Sequence, residues 1–154
     1  MRELRAWFFK ETIVQATLLL SDSAEVHNGR LYLMGGGLTW IWAHLPTPMS
    51  VAGLFNLEHS ELGRELPISL RIFQADGSPA LGTDGGGTTF EYGFSDTITA
   101  PSSDLTYDAE LDFVWSAKWF GLNLAPGVYE MRLINDETGA TVGHQHFTAQ
   151  AADS

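Results

Sequence analysis

Residues 12–34, TIVQATLLLSDSAEVHNGRLYLM, decide the fold class. Val14, Ala16, Leu18 and Leu20 recur every second residue, so in an extended chain they share one face. Asp22 and Ser23 interrupt the run, and Asn28-Gly29 sits ahead of a second apolar stretch, Leu31 to Met34. Both central positions of a type I′ turn need positive φ, which Asn and Gly tolerate, so this pair predicts a β-hairpin.

The same grammar continues downstream. Gly35-Gly36-Gly37 ends the hairpin strand, and a short strand from Leu38 to Ala43 puts Trp40 and Trp42 on one side. Pro46 and Pro48 oppose a regular ladder before the strand Val51–Glu58. Ile68, Leu70 and Ile72 alternate with Ser69 and Arg71, and Asp76-Gly77 closes that strand. Phe90, Tyr92 and Phe94 alternate next, then Leu111, Phe113 and Trp115. Pro126-Gly127 turns into Tyr129, Met131 and Leu133, and residues Asp136 to Gly139 turn again into a last strand, Thr141–Thr148.

Turn signals every eight to twelve residues, with no long helical period, predict an all-β fold, an antiparallel β-sandwich of about eight or nine strands. Residues 12–148 form that domain, flanked by an N-terminal extension (1–11) and a C-terminal tail (149–154). The expected core comprises Leu18, Leu20, Leu33, Ile68, Leu70, Ile72, Phe90, Leu111, Phe113, Tyr129, Met131 and Leu133.

The run Ala16 to Trp40, with its Asn-Gly-Arg-Leu hairpin and triple glycine, resembles an uncharacterised family of small bacterial proteins, a domain of unknown function. A second element supports the likeness: Leu124-Ala125-Pro126-Gly127-Val128-Tyr129-Glu130-Met131-Arg132-Leu133. Its proline falls one place later than in the family pattern, Leu-Pro-x-Gly-x-Tyr. The resemblance covers most of residues 12–148. It implies a compact β-sandwich and no activity, cofactor or site residue.

Composition narrows the function classes. The 154 residues are 44% hydrophobic, enough for a single packed domain. The absence of cysteine removes disulfides, thiolate metal sites and cysteine nucleophiles, and fits a reducing cytoplasm. Eight basic against nineteen acidic residues give a net charge of −11, which disfavours nucleic acid and acidic membrane surfaces as partners. Arg2, Arg5 and Lys10 ahead of Ile13–Leu20 imitate a signal peptide, but Glu3, Glu11, Gln15 and Thr17 spoil the pattern.

Candidate chemistry is sparse. His144 and His146 share a strand face and could grip one metal, yet no third ligand follows them. With Phe147 facing the core, both point to water, and no metal is expected. Asp108, Glu110 and Asp112, with Asp104 nearby, form a flat carboxylate row that reads as a solvated face rather than a calcium loop. Gly35–Gly37 and Gly85–Gly87 lack the following helix and Lys-Ser/Thr of a phosphate cradle. No catalytic residue or cofactor is assigned.

Aromatic residues remain. Adjacent Trp119 and Phe120 project to opposite faces of a strand, and Trp7 and Phe8 pose the same difficulty. These four predict an apolar surface for a neighbour, and hence a non-enzymatic interaction or assembly module that self-associates or docks another protein. The alternative is a small-ligand or carbohydrate-binding β-sandwich that uses Trp40, Trp42, Trp115 and Trp119 for stacking. An exposed, concave aromatic cleft would favour the second reading, and a flat apolar patch the first.

Overall fold

The computed structural model describes residues 15–57, 60, 62–100 and 111–152, with only the backbone of Leu111, Asp112 and Phe120. The extension at residues 1–11, with Trp7 and Phe8, lies outside the described residues, as do Asp104, Asp108 and Glu110.

The described chain is all β. Its strands are β1 (Gln15–Ser21), β2 (Ser23–His27), β3 (Arg30–Met34), β4 (Trp40–Trp42), β5 (Thr47–Leu57) and β6 (Glu65–Gln74). Then follow β7 (Leu81–Thr83), β8 (Thr89–Glu91), β9 (Gly93–Thr99), β10 (Leu111–Leu122), β11 (Gly127–Asn135) and β12 (Thr141–Gln150). β1, β5 and β10 form one antiparallel sheet, in the order β1-β5-β10. A five-stranded sheet runs β4-β12-β11-β6-β9, and two hairpins, β2-β3 and β7-β8, stand beside these sheets. No helix among the described residues is long and apolar enough to cross a membrane.

The two larger sheets contribute to one core. Leu18 and Leu20 from β1, Val51 and Phe55 from β5, Leu70 and Ile72 from β6, and Met131 and Leu133 from β11 all belong to it. Each such burial contributes roughly 1.5–3 kcal/mol, so the alternating register is strongly enforced. The sheets approach at β1 and β12. A Cβ added to Gly143 would stand 2.6 Å from the Ala16 carbonyl oxygen, so only glycine fits this crossing.

The hairpin at Asn28-Gly29 forms as its residues dictate, with φ of 50° and 69° and His27 paired to Arg30. Elsewhere the structure corrects the expected registers. β5 begins at Thr47, four residues earlier than expected, and carries Pro48 within it. Pro48 falls where the β5–β10 register is irregular, with Met49 paired to Trp119 and Thr47 to Leu122, a place that tolerates a residue without an N–H. At the other end of the chain, β12 continues two residues past Thr148, and Ala149 is buried between Gly127 and Ile41.

The side chain of Leu111 lies outside the described residues; of the other eleven expected core residues eight are buried, from Leu18 to Leu133, whereas Leu33 and Phe113 are half-buried. Phe90 is 40% exposed. The expected strand through Phe90, Tyr92 and Phe94 is broken at Tyr92, so Phe90 belongs to the β7–β8 hairpin and packs edge-on against Tyr92.

Candidate functional site

Alternation along β12 sends Phe147 and Ala149 into the core and leaves His144 and His146 on the outer face of the five-stranded sheet. Pairing with β11 then sets their neighbours. Glu130 stands opposite His146 and Arg132 opposite His144, while the core-facing Tyr129 stacks on Phe147 with ring centroids 5.7 Å apart. On the far side of β11, Glu130 pairs with Phe73 and Arg132 with Arg71.

β4 extends the same face in parallel. Ile41 aligns with buried Ala149, so Trp40 and Trp42 align with Thr148 and Gln150 on the outer side. Their rings meet edge to face, centroids 4.9 Å apart, and remain 43% and 42% exposed. They border a cleft of about 440 Å³ lined also by Asp22, Gly35, Thr39 and Thr47. The glycine break shapes this cleft. Gly35 has φ of 62°, and a side chain there would collide with the Asp22 carboxylate. The Asp22 N–H donates to the Met34 carbonyl and the Leu38 N–H to that of Leu20, which pins both ends of the loop.

The second feature of this face is the Glu130, His144 and His146 cluster, whose ligand-type atoms all lie within 4.8 Å of one another. His146 Nε2 is 2.8 Å from Glu130 Oε2. Arg132 Nε donates to Glu130 Oε1, and its guanidinium lies over the Phe73 ring, 4.2 Å from the centroid. The hydrogen bond from Arg132 holds the Glu130 carboxyl below the usual carboxylate range, against a smaller opposing effect of burial.

This cluster corrects the expectation that the histidine pair lacks a third donor. Glu130 precedes the pair instead of following it. The Asp136–Gly139 turn does not by itself give this match: the register shifts between Leu133 and Ile134, so Ile134 meets Thr141 while Glu130 meets His146 and Arg132 meets His144.

The remaining candidates separate. Trp119 is 8% exposed, set edge-on to Phe94 with centroids 5.2 Å apart, and belongs to the core instead of a docking surface. Regular pairing with β5 sets it there: Phe113, Trp115 and Trp119 share one face of β10, Trp119 stands opposite buried Met49, and the bulge at Gly121, φ 74°, comes only afterwards and turns Leu122 inward. The side chain of Phe120 lies outside the described residues. Trp115 is half-buried, and its Nε1 donates to Asp96 Oδ2 at 3.4 Å. Gly85–Gly87 is a hairpin loop in which Asp84 Oδ1 accepts from the Gly86 and Thr88 N–H groups at 2.9 and 2.8 Å.

No family model matches the chain, and no curated protein matches it.

Proposed function

We propose that this chain is a non-enzymatic binding domain of β-sandwich type that takes a neutral carbohydrate, or a ligand of similar size, at the Trp40–Trp42 cleft. One observation carries the reading: two tryptophans, expensive to leave in water, stand exposed beside a cleft although the core has room for Trp119. Sugar rings present C–H faces that stack on indoles and hydroxyls that seek carboxylates and hydroxyls. Asp22, Thr39 and Thr47 supply such partners around the same cleft. A net charge of −11 favours a neutral ligand over an anionic one. Kinship with the uncharacterised bacterial family and a cytoplasmic setting belong to the same proposal, supported by the hairpin and glycine motifs and by the cysteine-free composition.

A second reading, a protein-interaction or assembly module, is favoured by Tyr32 and Met34. They lie two apart on β3 and are 55% and 73% exposed.

Calorimetric titration with a panel of neutral oligosaccharides tests the first reading. At least one is expected to bind, with affinity weakened tenfold or more, about 1.4 kcal/mol, by Trp40→Ala or Trp42→Ala. Failure of the whole panel, or binding unchanged in both variants, would reject it.

A further inference from the structure

We propose that Glu130, His144 and His146 form a binding site for one divalent transition-metal ion, zinc(II) foremost. The site is separate from the tryptophan cleft and stands or falls without it.

The backbone assembles the three donors. His144 and His146 are two apart on β12, so both imidazoles leave the same face, and β11 places Glu130 directly opposite His146. A tetrahedral zinc ion with bonds of 2.0–2.1 Å needs ligand atoms about 3.4 Å apart. The observed spread, from 2.8 Å between Glu130 and His146 to no more than 4.8 Å across the set, brackets that value. Small rotations of two exposed imidazoles close the difference without moving a strand.

Donor chemistry selects the ion. Two imidazole nitrogens and one carboxylate oxygen suit zinc, nickel or cobalt, whereas calcium and magnesium prefer oxygen throughout. Three protein ligands leave at least one position open. It faces solvent, since the His146 side chain is 61% exposed, so water completes the shell.

Arg132 opposes the metal. Its guanidinium occupies Glu130 Oε1 and would place a positive charge beside the ion. It also has a second partner in the Phe73 ring, against which it can rest when the carboxylate turns to the metal. Arg132 therefore sets the affinity: it holds Glu130 in place and competes for it. Removing its charge should tighten binding.

The test uses tag-free protein and zinc chloride in a non-coordinating buffer, followed by calorimetry. The expected result is saturable one-to-one binding at micromolar affinity. His144→Ala, His146→Ala and Glu130→Gln should each weaken it tenfold or more, Arg132→Met should strengthen it, and His27→Ala and His44→Ala should leave it unchanged. Cobalt(II) added to the unaltered protein should give the intense visible bands of a tetrahedral centre, which guards against a Glu130 variant that fails to fold. Absence of saturable zinc binding, zinc binding insensitive to Glu130→Gln in a folded variant, or a cobalt spectrum of the hexa-aqua type would each overturn the site.

Discussion

Two pairs of tryptophans occupy opposite circumstances in this chain. Trp115 and Trp119 on β10 pack with Phe55 and Phe94 in and beside the core, while Trp40 and Trp42 on β4 lean on each other at a sheet edge. Residue type does not separate them. β10 pairs in regular register with the central strand β5, which sets Trp115 opposite Gly53 and Trp119 opposite buried Met49. β4 is a three-residue edge strand whose single inward residue is Ile41. The inner pair supplies packing energy, and the outer pair keeps ring area available.

That contrast can be broken most forcefully at Trp119. Replacement by alanine should destabilise the fold by about 3–5 kcal/mol, as expected when a large buried ring is deleted. Trp40→Ala and Trp42→Ala should each cost about 1 kcal/mol or less. Urea unfolding of the three variants measures both halves, and similar losses would erase the distinction.

The crossing of the sheets comes next in size. Gly143→Ala brings a methyl group against the Ala16 backbone oxygen, and backbone cannot rotate away as a side chain can. The expected loss is about 1–3 kcal/mol, read from the denaturation midpoint.

The smallest effect lies at the exposed turn after β6. Asp76 Oδ1 accepts from the Ser78 hydroxyl at 2.6 Å and the Ser78 N–H at 2.9 Å, which lowers the carboxyl's pKa below its ordinary 3.8. The stabilisation is therefore full above the unfolded value and fades as pH falls through the lower folded one. NMR titration of the Ser78 amide should show a midpoint below 3.8, and Ser78→Ala should return it toward that value.

Much of the fold was legible because short-range chemistry fixed it. Asn28-Gly29 admits the I′ turn, and the alternation of Tyr129, Met131 and Leu133 marks a face that water cannot hold. Phe147 likewise announced that its histidine neighbours point outward. What stayed hidden depended on partners distant in sequence. Pro48 reads as a strand breaker until the β10 bulge stands opposite it, and Trp119 beside Phe120 reads as a surface ring until its pairing with buried Met49 is fixed. Phe90 shared the right period but fell in a hairpin beyond the break at Tyr92.

The candidate site was legible only in pieces. The exposure of Trp40 and Trp42 depends on β4 joining β12 in parallel at the sheet edge, and no local pattern encodes that pairing. Glu130 is hidden by the register shift between Leu133 and Ile134: counted straight from the turn it would face Gln145, and the irregularity brings it to His146.

The most direct test of the binding reading uses fluorine-labelled tryptophan. Five indoles give five resonances, assigned by single Trp→Phe substitutions. When a binding oligosaccharide is added, the Trp40 and Trp42 lines should shift while those of Trp115 and Trp119 stay in place. Lines for Trp40 and Trp42 that remain unmoved at saturation would contradict the binding reading.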